Sequence, residues 1–220
     1  MSTSRQYDHV LLDLIENQAD ILNAKTAEIF AALCGKPDPT EKEMDEAYER
    51  VKAAAQTGDP EACLLFGGLL LNGYHITQDK GQGAQWIAKA ARKDNARALV
   101  TLGFMYHLGE GLPHDHERAR YCFERAAALG DSDGQYALGT FYAVGLSVPV
   151  NMKKAIELLR KAAAQAHAKA RYNLGIIYEQ GEGVFPDMDE AIGWYKLAAA
   201  QKDPEAQDAL FRLATDPRKR

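Results

Sequence analysis

Cysteine is scarce in this chain. There are three, Cys34, Cys63 and Cys122, odd in number and without a Cys-x-x-Cys pair. That pattern excludes a disulfide framework and a thioredoxin-like redox pair, and reduced, buried thiols in a cytoplasmic protein are the expectation. Long apolar runs are missing as well. Nothing approaches the roughly 20 residues that a membrane-spanning helix needs. The patch Val10-Leu11-Leu12, ended by Asp13, is too short for the apolar region of a secretory signal. An excess of positive charge is also absent: 26 Lys and Arg stand against 31 Asp and Glu, a net charge of −5. This is the wrong balance for a nucleic-acid binder, and the one basic run, Arg218-Lys219-Arg220, reads as a solvated tail.

Catalytic signatures are equally thin. There is no Ser-x-x-Lys, no Gly-x-Ser-x-Gly and no Gly-x-x-x-x-Gly-Lys. His116-Glu117-Arg118-Ala119-Arg120 begins like a zinc-protease helix but lacks the second histidine that would complete the metal site. His114-Asp115-His116 is a possible ligand set, yet Asp115 is better used as a helix cap. Gly109-x-Gly111 and Gly181-x-Gly183 follow helices, not a strand, so they are loop glycines and not a dinucleotide fingerprint. The acidic run Asp187-Met188-Asp189-Glu190 suits the positive end of a helix better than acid–base chemistry. No enzyme activity, cofactor or metal is expected.

What the chain does have is a repeat. Leu102-Gly103-Phe104-Met105-Tyr106 returns as Leu138-Gly139-Thr140-Phe141-Tyr142 and as Leu174-Gly175-Ile176-Ile177-Tyr178, each time after 36 residues. The same step links Gly73, Gly109, Gly145 and Gly181, then Asp79, Asp115, Asn151 and Asp187, and then the Ala-Ala pairs at 90–91, 126–127, 162–163 and 198–199. Internal periods of this length signal stacked supersecondary units. Each unit reads as two helices. In the second unit, Ala98, Leu102, Met105 and Tyr106 form one apolar stripe of a first helix. Gly109 ends that helix in the left-handed conformation. Asp115 caps a second helix that runs to about Leu129, and Gly130 and Asp131 lead into the next unit. Gly58-Asp59-Pro60 and Lys202-Asp203-Pro204 are clearer starts, an Asp cap before a proline at the first helical position. Gly103, Gly139 and Gly175 sit inside helices, where each costs about 1 kcal/mol relative to alanine. A recurring cost of that kind predicts close approach of a neighbouring helix.

These residues resemble the Sel-one-like repeat family, a relative of the tetratricopeptide repeats. The last unit carries the likeness best, with Ala170, Leu174-Gly175, Tyr178, Gly181-Glu182-Gly183-Val184, Asp187, Ala191, Trp194-Tyr195 and Ala198-Ala199. The resemblance implies an all-α fold, a right-handed α/α superhelical solenoid of helix-turn-helix repeats with capping helices at both ends. The expected organisation is N-terminal capping or arm helices over 1–36, a degenerate half-repeat over 40–61, repeats over 62–97, 98–133, 134–169 and 170–205, and a closing helix with a basic tail over 206–220. Thr40-Glu41-Lys42-Glu43 reads as a capping box for the half-repeat. Departures from the family pattern include His75 and Ser147 at the second loop glycine, and Cys122 and Leu158 at the tryptophan position. They leave the loop geometry of the first and third units open.

The resemblance also implies that first helices line a concave, partner-binding side. Counting along each first helix, positions three, seven and ten share a face distinct from the core stripe. They hold Leu64, Gly68 and Leu71; Val100, Phe104 and His107; Tyr136, Thr140 and Ala143; and Tyr172, Ile176 and Glu179. An apolar and aromatic strip with one carboxylate suits an interaction groove better than a solvated face. Val100, Phe104, His107, Tyr136, Thr140, Tyr172, Ile176 and Glu179 are therefore the candidate partner-binding residues, and Phe104→Asp is expected to spare folding. The expectation is a cytoplasmic, bacterial interaction scaffold or adaptor for a peptide or protein, without nucleic acid or membrane insertion. The alternatives are a neutralising inhibitor of the immunity type, directed at a toxin or lipase, and, least, an enzyme acting on cell-wall amides.

Overall fold

The computed structural model describes residues 39–215. The proposed helices over 1–36 and the basic tail at 218–220 lie outside the described residues. Among those described there are ten α-helices and no strand. They are α1 (Glu41–Thr57), α2 (Pro60–Asn72), α3 (Lys80–Ala91), α4 (Ala96–Leu108), α5 (His116–Ala128), α6 (Ser132–Val144), α7 (Met152–Ala164), α8 (Ala168–Gln180), α9 (Met188–Ala199) and α10 (Pro204–Thr215). The chain divides into two compact units between Leu129 and Gly130. The first contains α1 to α5 and the second α6 to α10. In each, a helix packs most densely on its partner in the same hairpin and less densely on the next hairpin.

The punctuation follows from the caps. Asp59, Asp131 and Asp203 accept the N–H of Ala62, Gly134 and Ala206 at 2.7, 2.8 and 2.9 Å. Asp79, Asp115, Asn151 and Asp187 do the same for the second helices. The backbone N–H of each of these last four also donates to a carbonyl near the end of the preceding helix, on Leu70, Tyr106, Tyr142 and Tyr178, at 2.8–2.9 Å. The loop inside each of these four hairpins is therefore tied shut by the residue that caps the next helix. At Thr40, the Glu43 carboxylate takes both the Thr40 N–H, at 2.8 Å, and its hydroxyl, at 2.7 Å.

The loop geometry survives the two departures. Gly111 and Gly183 have φ of 68° and 71°, and His75 and Ser147 adopt 63° and 55° at the equivalent positions. The hairpin imposes the left-handed conformation whether or not a glycine is there, at a cost of about 1–2 kcal/mol for a residue with a side chain.

The mid-helix glycines do meet a close neighbour, and it is mainly a side chain of the partner helix. A Cβ on Gly103 would lie 2.5 Å from the Phe123 ring, and one on Gly175 2.4 Å from the Tyr195 ring. Gly139 faces Leu159 at 3.2 Å, and Gly67 faces Ile87 at 2.6 Å. These four partners all come from second helices, recur at the same step and are buried. Each hairpin thus closes by seating one large residue of its second helix against a bare glycine of its first. The leading alanines of the pairs, Ala90, Ala126, Ala162 and Ala198, are fully buried beside them.

Candidate functional site

Neighbouring hairpins are stitched together at their starts. Within the first unit, Asn95 donates to Glu61 at 2.6 Å and Lys93 to the Gly58 carbonyl at 2.6 Å. Within the second, Gln165 and Gln201 donate to the carbonyls of Gly130 and Ala166 at 2.9 and 2.8 Å. His167 caps α8 by accepting the Ala170 N–H on Nδ1 at 3.1 Å, so its proton sits on Nε2, 3.2 Å from Asp133. Its ring stacks on Tyr136 with centroids 4.4 Å apart. Within each unit these links fix the spacing of the first helices.

Much of that strip lies inside the single chain. Val100, Phe104 and His107 on α4 are buried, as are Tyr136 and Thr140 on α6. Leu64, Leu71 and Ala143 are buried too. Tyr172 and Ile176 on α8 are half-buried, and the Glu179 side chain is 10% exposed. The reason is geometric. A first helix has its own second helix on one side and the next hairpin on another, so a wheel-based division into core and open face is too coarse. Every residue from Ala98 to Met105 and from Gly134 to Ala143 is buried.

The partners of these side chains are specific. The Phe104 ring stands edge-on to Phe123 at 4.9 Å. The Thr140 hydroxyl donates to the Tyr136 carbonyl at 3.1 Å, and Asn173 donates to the Tyr136 hydroxyl at 3.4 Å. Glu179 accepts from the Tyr195 hydroxyl at 2.9 Å and is clamped by both Arg212 Nη atoms at 2.8 and 2.7 Å. This fork-to-carboxylate pair holds α10 onto the last hairpin. Burial first, then the Glu179 charge, pushes the Tyr195 phenol well above its ordinary range. Nothing in the sequence pattern joins Glu179 to Arg212, because Arg212 lies beyond the last full unit.

His107 lies in a cluster that sequence reading had only half assembled. Its ring stacks on His116 at 5.0 Å, and His116 meets His114 at 4.3 Å. Burial foremost, and the neighbouring imidazoles after it, lower His107 to about 4. Among the described residues no group of three His, Cys, Asp or Glu has the geometry to hold a metal. Asp115, at the centre of the suspected ligand set, caps α5 through the Arg118 N–H.

The tyrosine that recurs near the end of three first helices, Tyr106, Tyr142 and Tyr178, is also put to use. Arg118 lies 5.6 Å from the Tyr106 ring and Lys154 4.2 Å from the Tyr142 ring. Lys154 also donates to the Tyr142 hydroxyl at 2.6 Å. These cations come twelve residues after their tyrosines. At Tyr178 that position is Glu190, and Arg160 of the preceding second helix bonds the hydroxyl instead.

Comparison with known proteins fits this architecture. A family model described as the Sel1 repeat matches residues 60–95, 96–131, 132–167 and 168–203, well over half of the chain. Its units start two residues before those counted from the apolar alanine and keep the same length. The chain is 34% identical, over 82 residues, to the ERAD-associated E3 ubiquitin-protein ligase component HRD3B of Arabidopsis thaliana. That stretch is 37% of this chain and only 14% of the plant protein. The crystal structure of a Sel1 repeat protein from Oxalobacter formigenes is similar with a TM-score of 0.79 and 26% identity, over 97% of this chain and 87% of that one. A protective antigen of uropathogenic Escherichia coli strains gives 0.73 and 29%, over 86% of this chain and 40% of the antigen. No helix among the described residues is long and apolar enough to cross a membrane. Sel1 repeats mediate protein–protein interaction. Matched by that model over four consecutive units of 36 residues, this chain belongs to the Sel1 repeat family.

Proposed function

We propose that this protein is a non-catalytic scaffold or adaptor that takes a peptide or protein partner on the strip carried by its first helices. Membership of a protein-binding repeat family is the observation that carries the reading. The half-buried Tyr172 and Ile176, with Glu179 between Tyr195 and Arg212, supply the contacts in the second unit. Tyr172 is an aromatic anchor with one face packed on Tyr195, ring centroids 5.7 Å apart, the kind of residue that dominates interface energies. Val100, Phe104 and His107 in the first unit, and Tyr136 and Thr140 in the second, lie buried behind the first-helix surface of their own unit. A cytoplasmic setting, supported by the free, buried Cys63 and Cys122, and a bacterial source belong to the same proposal.

The test is site-specific photo-crosslinking in the native cell. A photoreactive phenylalanine at Ile176 is expected to capture a discrete partner, while the same probe at the exposed Lys196 captures none of it. Equal capture from both positions would remove the strip as the binding surface. A captured complex that stays one-to-one on dilution to nanomolar concentrations would favour an inhibitor, and ready exchange would favour an adaptor.

A further inference from the structure

In the first unit a depression of about 700 Å³ opens where α3 faces α4 and the loop that follows α4. One wall is a row of Gln85, Trp86 and Lys89 on α3 with Arg92 at its C-cap, and the other holds Tyr106 and Leu112. No Asp or Glu lines it, although acidic residues outnumber basic ones in the chain. Several other cations of this unit are matched by carboxylates. Lys80 pairs with Glu110 at 3.0 Å, Arg97 with Glu61 at 3.5 Å, and Arg125 with Asp94.

Inside the depression they are not. The Lys89 ammonium is held 4.5 Å from the Trp86 ring centroid and donates to the Ala55 carbonyl at 3.1 Å. It has no carboxylate partner among the described residues. The Arg92 guanidinium is exposed and has neither ion pair nor hydrogen bond among the described residues. Two cations, one anchored over an aromatic face and one free, thus border an open space floored by Trp86, Tyr106 and Leu112. A carboxylate entering there would gain charge-assisted hydrogen bonds and face no repelling neighbour in the walls. An apolar side chain next to it would cover the rings.

We propose that this depression docks an acidic segment of a partner protein, with its carboxylates on Lys89 and Arg92 and an adjoining apolar side chain against Trp86 and Tyr106. The volume suits a few side chains. A polyanionic nucleic acid would also be drawn to the cations, but the net negative charge of the chain opposes it. The site shares no residue with the strip of the preceding proposal, and either can fail alone.

The experiment uses the full chain with Trp194→Phe, which leaves Trp86 as the single tryptophan. A peptide of alternating Glu and Ala is titrated at low salt, followed by Trp86 emission and, with a fluorescein label, by anisotropy. Saturable binding with a change in Trp86 emission is expected. Arg92→Glu should weaken it by at least about tenfold, the loss of one charge-assisted contact, while Lys196→Glu leaves it unchanged. Circular dichroism verifies that Arg92→Glu is folded, and Arg92→Lys should retain most of the binding. No peptide binding, equal affinity of Arg92→Glu and the parent, or tighter binding of a single-stranded oligonucleotide than of the peptide would each overturn the proposal.

Discussion

Acid should destabilise this protein through His107, and the size of the effect follows from its position. The ring is 9% exposed on α4, stacked on His116 with His114 behind. Burial first and the two imidazoles next depress it from 6.5 to about 4. Folding therefore favours the neutral ring. Above pH 6.5 neither the folded nor the unfolded state binds the proton, and the full stability is present. As pH falls below 6.5 the unfolded chain takes up a proton that the folded chain refuses until about pH 4. At about 1.4 kcal/mol per pH unit, the loss over that window is roughly 3 kcal/mol. Urea unfolding of the parent and of His107→Leu, at several pH values from about 7 to about 4, measures it. Every other ionisable group is common to the two proteins, so the difference between the two pH slopes reports on His107. The parent should lose about 3 kcal/mol more than the variant. Parallel slopes would refute the reasoning and show that the imidazole is solvated.

Thermal and chemical unfolding test the packing in the same way. Leu174 is fully buried on α8, so Leu174→Ala should cost about 2–5 kcal/mol; an unchanged midpoint would contradict the register. Gly175→Ala should destabilise despite the better helix propensity of alanine, because its Cβ would run into the Tyr195 ring, whereas Gly193→Ala on α9, with nothing within 4 Å, should gain up to about 1 kcal/mol. Phe104→Asp should unfold the first unit by burying a carboxylate against Phe123, while Phe185→Asp, at a residue 93% exposed, should leave the melting temperature unchanged. Burial raises the Cys63 thiol and pushes Cys122 up to about 11, so both should resist a water-soluble thiol reagent at neutral pH and label only on unfolding; fast labelling of the folded chain would sink that claim.

Periodicity carried the fold. The stride of 36 residues, the glycines that end first helices and the Asp or Asn caps of second helices are local signals, and local hydrogen bonding enforces them wherever they occur. That is why His75 and Ser147 can stand in for glycine without breaking a loop. The proposed strip was less legible. A helical wheel sees one helix at a time, and it assigned Phe104 to an open face. The edge-on contact with Phe123 and the 7% exposure of the ring make it part of the core.

By itself the amino-acid sequence determined the repeat, the all-helical class, the family and the positions where each helix starts and stops, because those depend on interactions within a few residues of the chain. Only the tertiary structure decided which first-helix side chains remain reachable, that Tyr195 and Phe123 fill the space above Gly175 and Gly103, that Arg212 clamps Glu179, and that Lys89 and Arg92 border a space without a carboxylate. Those facts depend on how helices settle against one another in space, and a regular stride shows that residues recur without showing which of them touch.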